Sequence, residues 1–171
     1  MDPVTTGLPR PAVTVDQAVA MACEHFGVEG SGVELGSQQD RNVLVTTSDG
    51  SRYLLKVSNP VFTRSEIEAQ NLAMRHLAER GHATPRPTTS LGGEEIVEVD
   101  VKGVPHAVRL LTFVPGAPLS SASAPWPATL AQIGRLAGQV TTALADITHS
   151  GLQRDLQWDL RRGEAVVAER L

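Results

Sequence analysis

Two runs rich in apolar residues, Val43-Leu44-Val45-Thr46-Thr47 and Tyr53-Leu54-Leu55-Lys56-Val57, stand on either side of Ser48-Asp49-Gly50. Asp-Gly accepts the backbone of a tight turn, so runs of this length joined in this way predict an antiparallel hairpin. Before it, Val33-Glu34-Leu35 leads into the polar stretch Gly36-Ser37-Gln38-Gln39-Asp40-Arg41-Asn42. The hairpin therefore follows a short strand and a polar loop, and it carries a lysine near its far end.

Helices flank these strands. Thr14-Val15-Asp16-Gln17 is a capping box, in which the Thr14 hydroxyl and the Gln17 amide satisfy each other's free backbone N–H groups. Apolar residues follow at positions 15, 18, 19, 22 and 26, and Gly27 stops the helix. Thr63-Arg64-Ser65-Glu66 is a second capping box, opening a helix whose Ile67, Leu72, Met74 and Leu77 can face a sheet. Gly81 ends it, and Pro85 and Pro87 forbid its continuation.

A second hairpin is expected next. Glu95 to Val101 alternates with period two, Lys102-Gly103 turns the chain, and Ala107 to Val114 is apolar enough to be a central strand. Pro115, Gly116 and Pro118 break the pattern, and Ser120 to Pro127 has the small, polar composition of a linker between lobes. Leu130, Ile133, Leu136, Ala137, Val140, Leu144 and Ile147 then recur at helical spacing, and Arg162 to Leu171 reads as a further helix.

Composition excludes several function classes. A formal charge of −4 gives no electrostatic reason to expect nucleic acid or an anionic membrane as partner. Cys23 is the single cysteine, so no internal disulfide or cysteine zinc cluster can form, and its place on the first helix predicts a small buried hydrophobe. The five histidines, at 25, 76, 82, 106 and 149, never take metal-ligand spacing, and no metal site is expected. No secretory signal or apolar span is evident, which makes a reducing cytoplasm the simplest location.

A polar loop between strands, a lysine in the next strand and a glutamate in the next helix together suit a nucleoside triphosphate. Its phosphates need backbone donors and a fixed cation, and that cation needs a carboxylate to hold it. Gly36–Asn42, Lys56 and a glutamate at 66 or 68 occur in that order. An inward lysine within an apolar strand is informative in itself, since lysine is rarely buried unpaired.

These stretches resemble the N-terminal part of the aminoglycoside phosphotransferase family, a branch of the protein-kinase-like fold, and are most similar to its hydroxylysine-kinase-like members. The resemblance rests on Gly36–Asn42, Tyr53-Leu54-Leu55-Lys56-Val57-Ser58-Asn59-Pro60, Glu68-Ala69-Gln70-Asn71, Val108–Gly116, the helix from Leu130 and Arg154-Asp155-Leu156-Gln157-Trp158-Asp159-Leu160. It implies an α+β fold: a kinase-like N-lobe with a five-stranded antiparallel sheet and one inserted helix, a hinge, and the first helices of a C-lobe. Residues 1–12 are expected to be disordered, 13–116 to form the nucleotide-binding lobe, 117–127 the linker and 128–171 the incomplete start of the helical lobe.

The resemblance also implies roles. Lys56 would contact the α- and β-phosphates of ATP, with Glu68 as its partner, or Glu66 if the cap releases it. Ser37, Gln38, Gln39, Asp40 and Asn42 would cover the phosphates, and the backbone of Leu111, Thr112 and Phe113 would meet the adenine edge. Arg154-Asp155-Leu156 reads like a kinase catalytic loop, but no asparagine follows it. The catalytic aspartate and the Mg2+ ligands are therefore expected outside these 171 residues, with no turnover by the chain alone.

The expected partners are ATP and the rest of the C-lobe or a fused domain, with self-association possible through the lobe face. The low aromatic content, 4%, suits a core completed only when the other lobe docks. A non-catalytic scaffold that keeps the kinase-like lobe is the alternative from another class. An antiparallel-sheet binding domain unrelated to kinases would require the lysine and glutamate to coincide by accident.

Overall fold

The computed structural model describes residues 10–119, 126–154 and 163–168. Its centre is one antiparallel sheet of β1 (Ser31–Leu35), β2 (Arg41–Thr46), β3 (Arg52–Val57), β4 (Pro87–Thr88), β5 (Val97–Val101) and β6 (Val104–Thr112). The spatial order is β1-β2-β3-β6-β4, and β5 also pairs with β6. The apolar strand ending at Thr112 is central, as its composition predicts: β3 takes one edge while β4 and β5 share the other. Six strands replace the five expected. The extra one, β4, has two residues, too few for a hydrophobic pattern, and its Pro87 reads in the sequence as a break.

Both capping boxes form, at the starts of α1 (Val15–Phe26) and α2 (Arg64–Glu79). The Thr14 hydroxyl accepts from the Gln17 N–H at 3.2 Å, and the Gln17 side chain accepts from the Thr14 N–H at 2.9 Å. In the second hairpin Lys102 and Gly103 have φ of 57° and 82°, and both central residues at positive φ match the right-handed twist of the strands they join.

α1 covers one face of the sheet. Val13, Ala18, Ala22 and Phe26 pack with Val43, Val45, Leu55, Val57, Val108 and Leu110 into the main core. Gly32 permits the approach, because a Cβ there would lie 2.5 Å from the Val19 side chain and 2.8 Å from that of Val15. One expectation is corrected here. Cys23 is exposed rather than buried, since the inward residues of α1 are Ala18, Ala22 and Phe26 and Cys23 is one position off that stripe. Of the residues before Val13, 1–9 lie outside the described residues, while Pro11 is buried and Arg10 pairs with Glu34 at 3.2 Å.

α2 lies on the opposite face, and of the four apolar residues expected to hold it only Ile67 is buried. Polar contacts also anchor it. At its start the Ser65 and Ser150 hydroxyls are 2.9 Å apart and Arg154 reaches Glu66 at 3.7 Å, beside the one-turn 3-10 helix Ser150–Leu152. At its end His76 Nε2 and Arg80 Nη2 hold the two Asp146 oxygens at 2.8 and 2.6 Å. The His76 hydrogen bond, ahead of the charge of Arg80, keeps the Asp146 carboxyl below its ordinary pKa.

α3 (Pro127–Ala143) forms as a long helix but stops before Leu144 and Ile147, where the chain turns. Its Leu130, Ile133 and Leu136 are exposed. Of the final helix, α4 (Gly163–Ala168) is described. Most of the expected linker, 120–125, and the segment 155–160 lie outside the described residues.

Candidate functional site

Strand register creates the site. Val33 pairs with Leu44, Leu44 with Leu54, Leu54 with Leu111 and Leu111 with Pro87. Side chains directly opposite one another share a face, so these residues form an apolar row on the face away from α1. Val33 is 61% exposed, and Leu44 and Leu54 are only half-buried. Two residues along each strand, about 7 Å away, runs a polar row. Asn42 pairs with Lys56, and Lys56 with Arg109. This sheet face, open at β1 and β2 and covered by α2 at Arg109, thus sets an apolar strip beside a cationic one.

Lys56 is brought together with two of its expected neighbours. Its Nζ forms an ion pair with Asp40 and lies 3.4 Å from Asn42 Oδ1. Asp40 is 9% exposed and fixed from several sides. Its Oδ1 accepts the Asn59 N–H at 2.9 Å, and its own N–H donates to Ser37 Oγ at 3.1 Å. The Asn59 side-chain amide donates to the Gln39 carbonyl at 3.2 Å, stitching the loop to the end of β3. Gln38 is exposed at the loop crest.

Neither glutamate meets Lys56 in this structure, which corrects the expected pairing. Glu68 Oε1 accepts from Arg64 Nε at 3.0 Å, one helical turn back, and its side chain is 44% exposed. Glu66 is held in the Thr63 cap, accepting the Thr63 N–H at 2.7 Å, with Arg154 on its other oxygen. The reason is register: Asn42 is directly opposite Lys56, so the loop preceding β2 delivers a carboxylate locally, whereas α2 begins beyond a further loop.

The three residues expected at the hinge end β6 and continue past it. Leu111 is 5% exposed and closes the apolar row. The Thr112 N–H donates to the Arg86 carbonyl at 2.9 Å and the Phe113 N–H to the Arg52 carbonyl at 3.1 Å. Both donors are paired with neighbouring chain. The Arg52 guanidinium lies 4.8 Å from the centre of the Phe113 ring.

Four residues assigned no role from sequence complete the arrangement. Arg109 is 1% exposed, and it donates from Nη1 to Asn71 Oδ1 at 2.8 Å and from Nη2 to Gln70 Oε1 at 2.9 Å. Asn59 locks the loop as described. The signal available in the sequence was the hairpin turn centred on Asp49, from which Asn42 and Lys56 are equally far. Among the described residues no cluster of His, Cys, Asp and Glu could hold a metal ion, and no helix is long and apolar enough to cross a membrane.

A family model described as the phosphotransferase enzyme family matches residues 31–171. Hydroxylysine kinase of Mus musculus is 31% identical over 170 residues, covering 89% of this chain and 45% of that protein. Hydroxylysine kinase of Xenopus laevis is 29% identical over 149 residues, covering 80% and 40%. The chain therefore spans somewhat less than half the length of these curated relatives. Among solved structures, an amicoumacin kinase in complex with AMP-PNP, Ca2+ and Ami superposes with a TM-score of 0.71 at 17% identity, over 91% of this chain and 50% of that one. A microcompartment-associated aminopropanol kinase superposes with a TM-score of 0.61 at 23% identity, over 83% and 44%. At these identities the likeness concerns the fold, which is kinase-like.

Proposed function

Since this chain belongs to the phosphotransferase enzyme family, we propose that it is the nucleotide-binding part of a small-molecule kinase, with ATP seated on the open face of its sheet. The juxtaposed rows carry the reading. A purine is a flat apolar ring with a polar edge, and Val33, Leu44, Leu54 and Leu111 offer a strip on which it can lie. A triphosphate needs a cation held in place. Lys56 is held by Asp40, which is itself fixed by Asn59.

In this reading residues 13–116 form the nucleotide lobe and residues from 128 open the helical lobe, with 117–127 between them. Ser37, Gln38, Gln39, Asp40 and Asn42 border the phosphates, and Glu68 serves α2 rather than Lys56. ATP would supply the γ-phosphoryl group, and Mg2+ would neutralise charge on its oxygens. The aspartates that would accept the substrate proton and bind the metal have no counterpart in residues 128–171. The acceptor belongs to the same proposal: a hydroxyl on an amino-bearing metabolite, as the names of the hydroxylysine kinases suggest. The exposed Leu130, Ile133 and Leu136 on α3 are the surface we expect further helices of the second lobe to cover. The single cysteine fits a reducing cytoplasm.

The test is calorimetric titration of the 171-residue chain with ATP, followed by an assay for ADP. Heat of binding with ADP formation at background is expected. Absence of binding, or ADP formation above background that Lys56→Ala abolishes, would contradict the proposal.

A further inference from the structure

Arg109 is among the largest fully buried side chains, and its hydrogen-bond acceptors among the described residues are all neutral. They are the side-chain oxygens of Asn71 and Gln70, together with the Ile67 carbonyl at 3.5 Å. Its Nε–H meets no acceptor among the described residues. Carboxylates around α2 are already engaged with other arginines: Glu66 with Arg154, Glu68 with Arg64, and Glu95 with Arg75. Asp40 acts on Arg109 through space, but its oxygens are occupied by Lys56 and the Asn59 N–H. Burial lowers the Arg109 pKa to about 10, which leaves the side chain charged at neutral pH.

A buried cation without a carboxylate is costly, and an apolar residue of similar volume would hold a helix on a sheet without that cost. Stability therefore gives no reason for a charge here. Function does, because Arg109 stands next to Lys56 across β3 and β6. Lys56 and Asp40 cancel, so the surplus positive charge of the polar row is that of Arg109.

We propose that Arg109 is a positioning residue for the nucleotide's phosphates, a buried cation with no ion-pair partner among the described residues that supplies net positive charge behind the Lys56–Asp40 pair without touching the ligand. This rests on the nucleotide reading above. Arg109 also docks α2, so the test must separate charge from docking, and Gln70→Glu does so. It keeps an oxygen acceptor at the same place on α2 and places a negative charge on Arg109.

Affinities of ATP, ADP, AMP and adenosine are measured for the wild-type chain, Gln70→Glu and Arg109→Met, with melting temperatures alongside. Gln70→Glu is expected to weaken ATP roughly five- to tenfold, the size of one unit charge acting across a partly solvated gap. The loss shrinks along the series, and adenosine changes less than about twofold by the same reasoning, having no charge. Arg109→Met, read as the ratio of ATP to adenosine affinity, moves in the same direction. Unchanged ATP affinity in Gln70→Glu, or equal losses for ATP and adenosine in both variants, would overturn the proposal. If the wild-type chain binds none of the four ligands, the nucleotide reading fails first and this inference with it.

Discussion

Lys56→Met is expected to weaken ATP binding by about thirtyfold or more, because truncating one member of a desolvated charge pair costs roughly 2–5 kcal/mol. Two effects add. The cation proposed to face the phosphates disappears, and Asp40, freed of its ion pair, becomes an uncompensated carboxylate in the same place. The double substitution Lys56→Met with Asp40→Asn separates them, since it removes the stranded charge and keeps an oxygen for the Asn59 N–H. Thermal stability should recover in the double variant while ATP affinity stays low. Fluorescence titration with a nucleotide analogue and a melting curve on each protein check both halves. A change in ATP affinity below about threefold in the single variant would mean that Lys56 is not the phosphate cation.

The second large effect concerns which face of the sheet is core. Leu55 is fully buried in the cluster with Val43, Leu110, Ala18 and Ala22, whereas its neighbour Leu54 points to the open face. Leu55→Ala is expected to destabilise the chain by about 3 kcal/mol, within the range for buried leucine truncations whose cavity does not collapse. Leu54→Ala leaves no cavity on the α1 side and should cost less than about half of that. Its main expected consequence is weaker binding of adenosine and ATP alike, through loss of apolar surface under the proposed position of the base. Urea denaturation of the two variants, with the slope checked for constancy, gives the comparison. Equal destabilisation by both would show that the open face is packed as core and is unavailable to a ligand.

Much of the architecture is legible in the sequence because its signals are local. Capping boxes at Thr14 and Thr63, the Asp49-Gly50 and Lys102-Gly103 turns and the alternation of Val97 to Val101 all depend on neighbours a few residues away, and all appear as expected. The misses are tertiary. Cys23 lies on an apolar stretch of α1 but off its buried stripe. β4 is a strand only because β6 offers it an edge, which no pattern within Pro87-Thr88 announces. α2 carries apolar residues at helical spacing, yet a buried arginine is prominent among the groups that hold it to the sheet.

The site divides in the same way. Lys56 stands out because lysine in an apolar strand needs an explanation, and Asp40 and Asn42 stand where the polar loop enters the strand that pairs with it. Its choice of partner was not legible as a motif, because the order of lysine and downstream glutamate says nothing about competing pairs. Glu66 and Glu68 each satisfy a closer group, the Thr63 cap and Arg64. Strand register decides the matter, and register follows from the position of the turn. Arg109 is the clearest case of a residue whose importance emerges only when two strands and a helix are assembled around it.

Methyl-resolved NMR of the chain titrated with ATP tests the central claim most directly. Shifts concentrated at Val33, Leu44, Leu54 and Leu111, with Val43, Leu55 and Leu110 on the α1 face left nearly unmoved, are the predicted result. Shifts confined to the α1 face, or no saturable shift anywhere in the sheet, would contradict the placement of ATP on its open face.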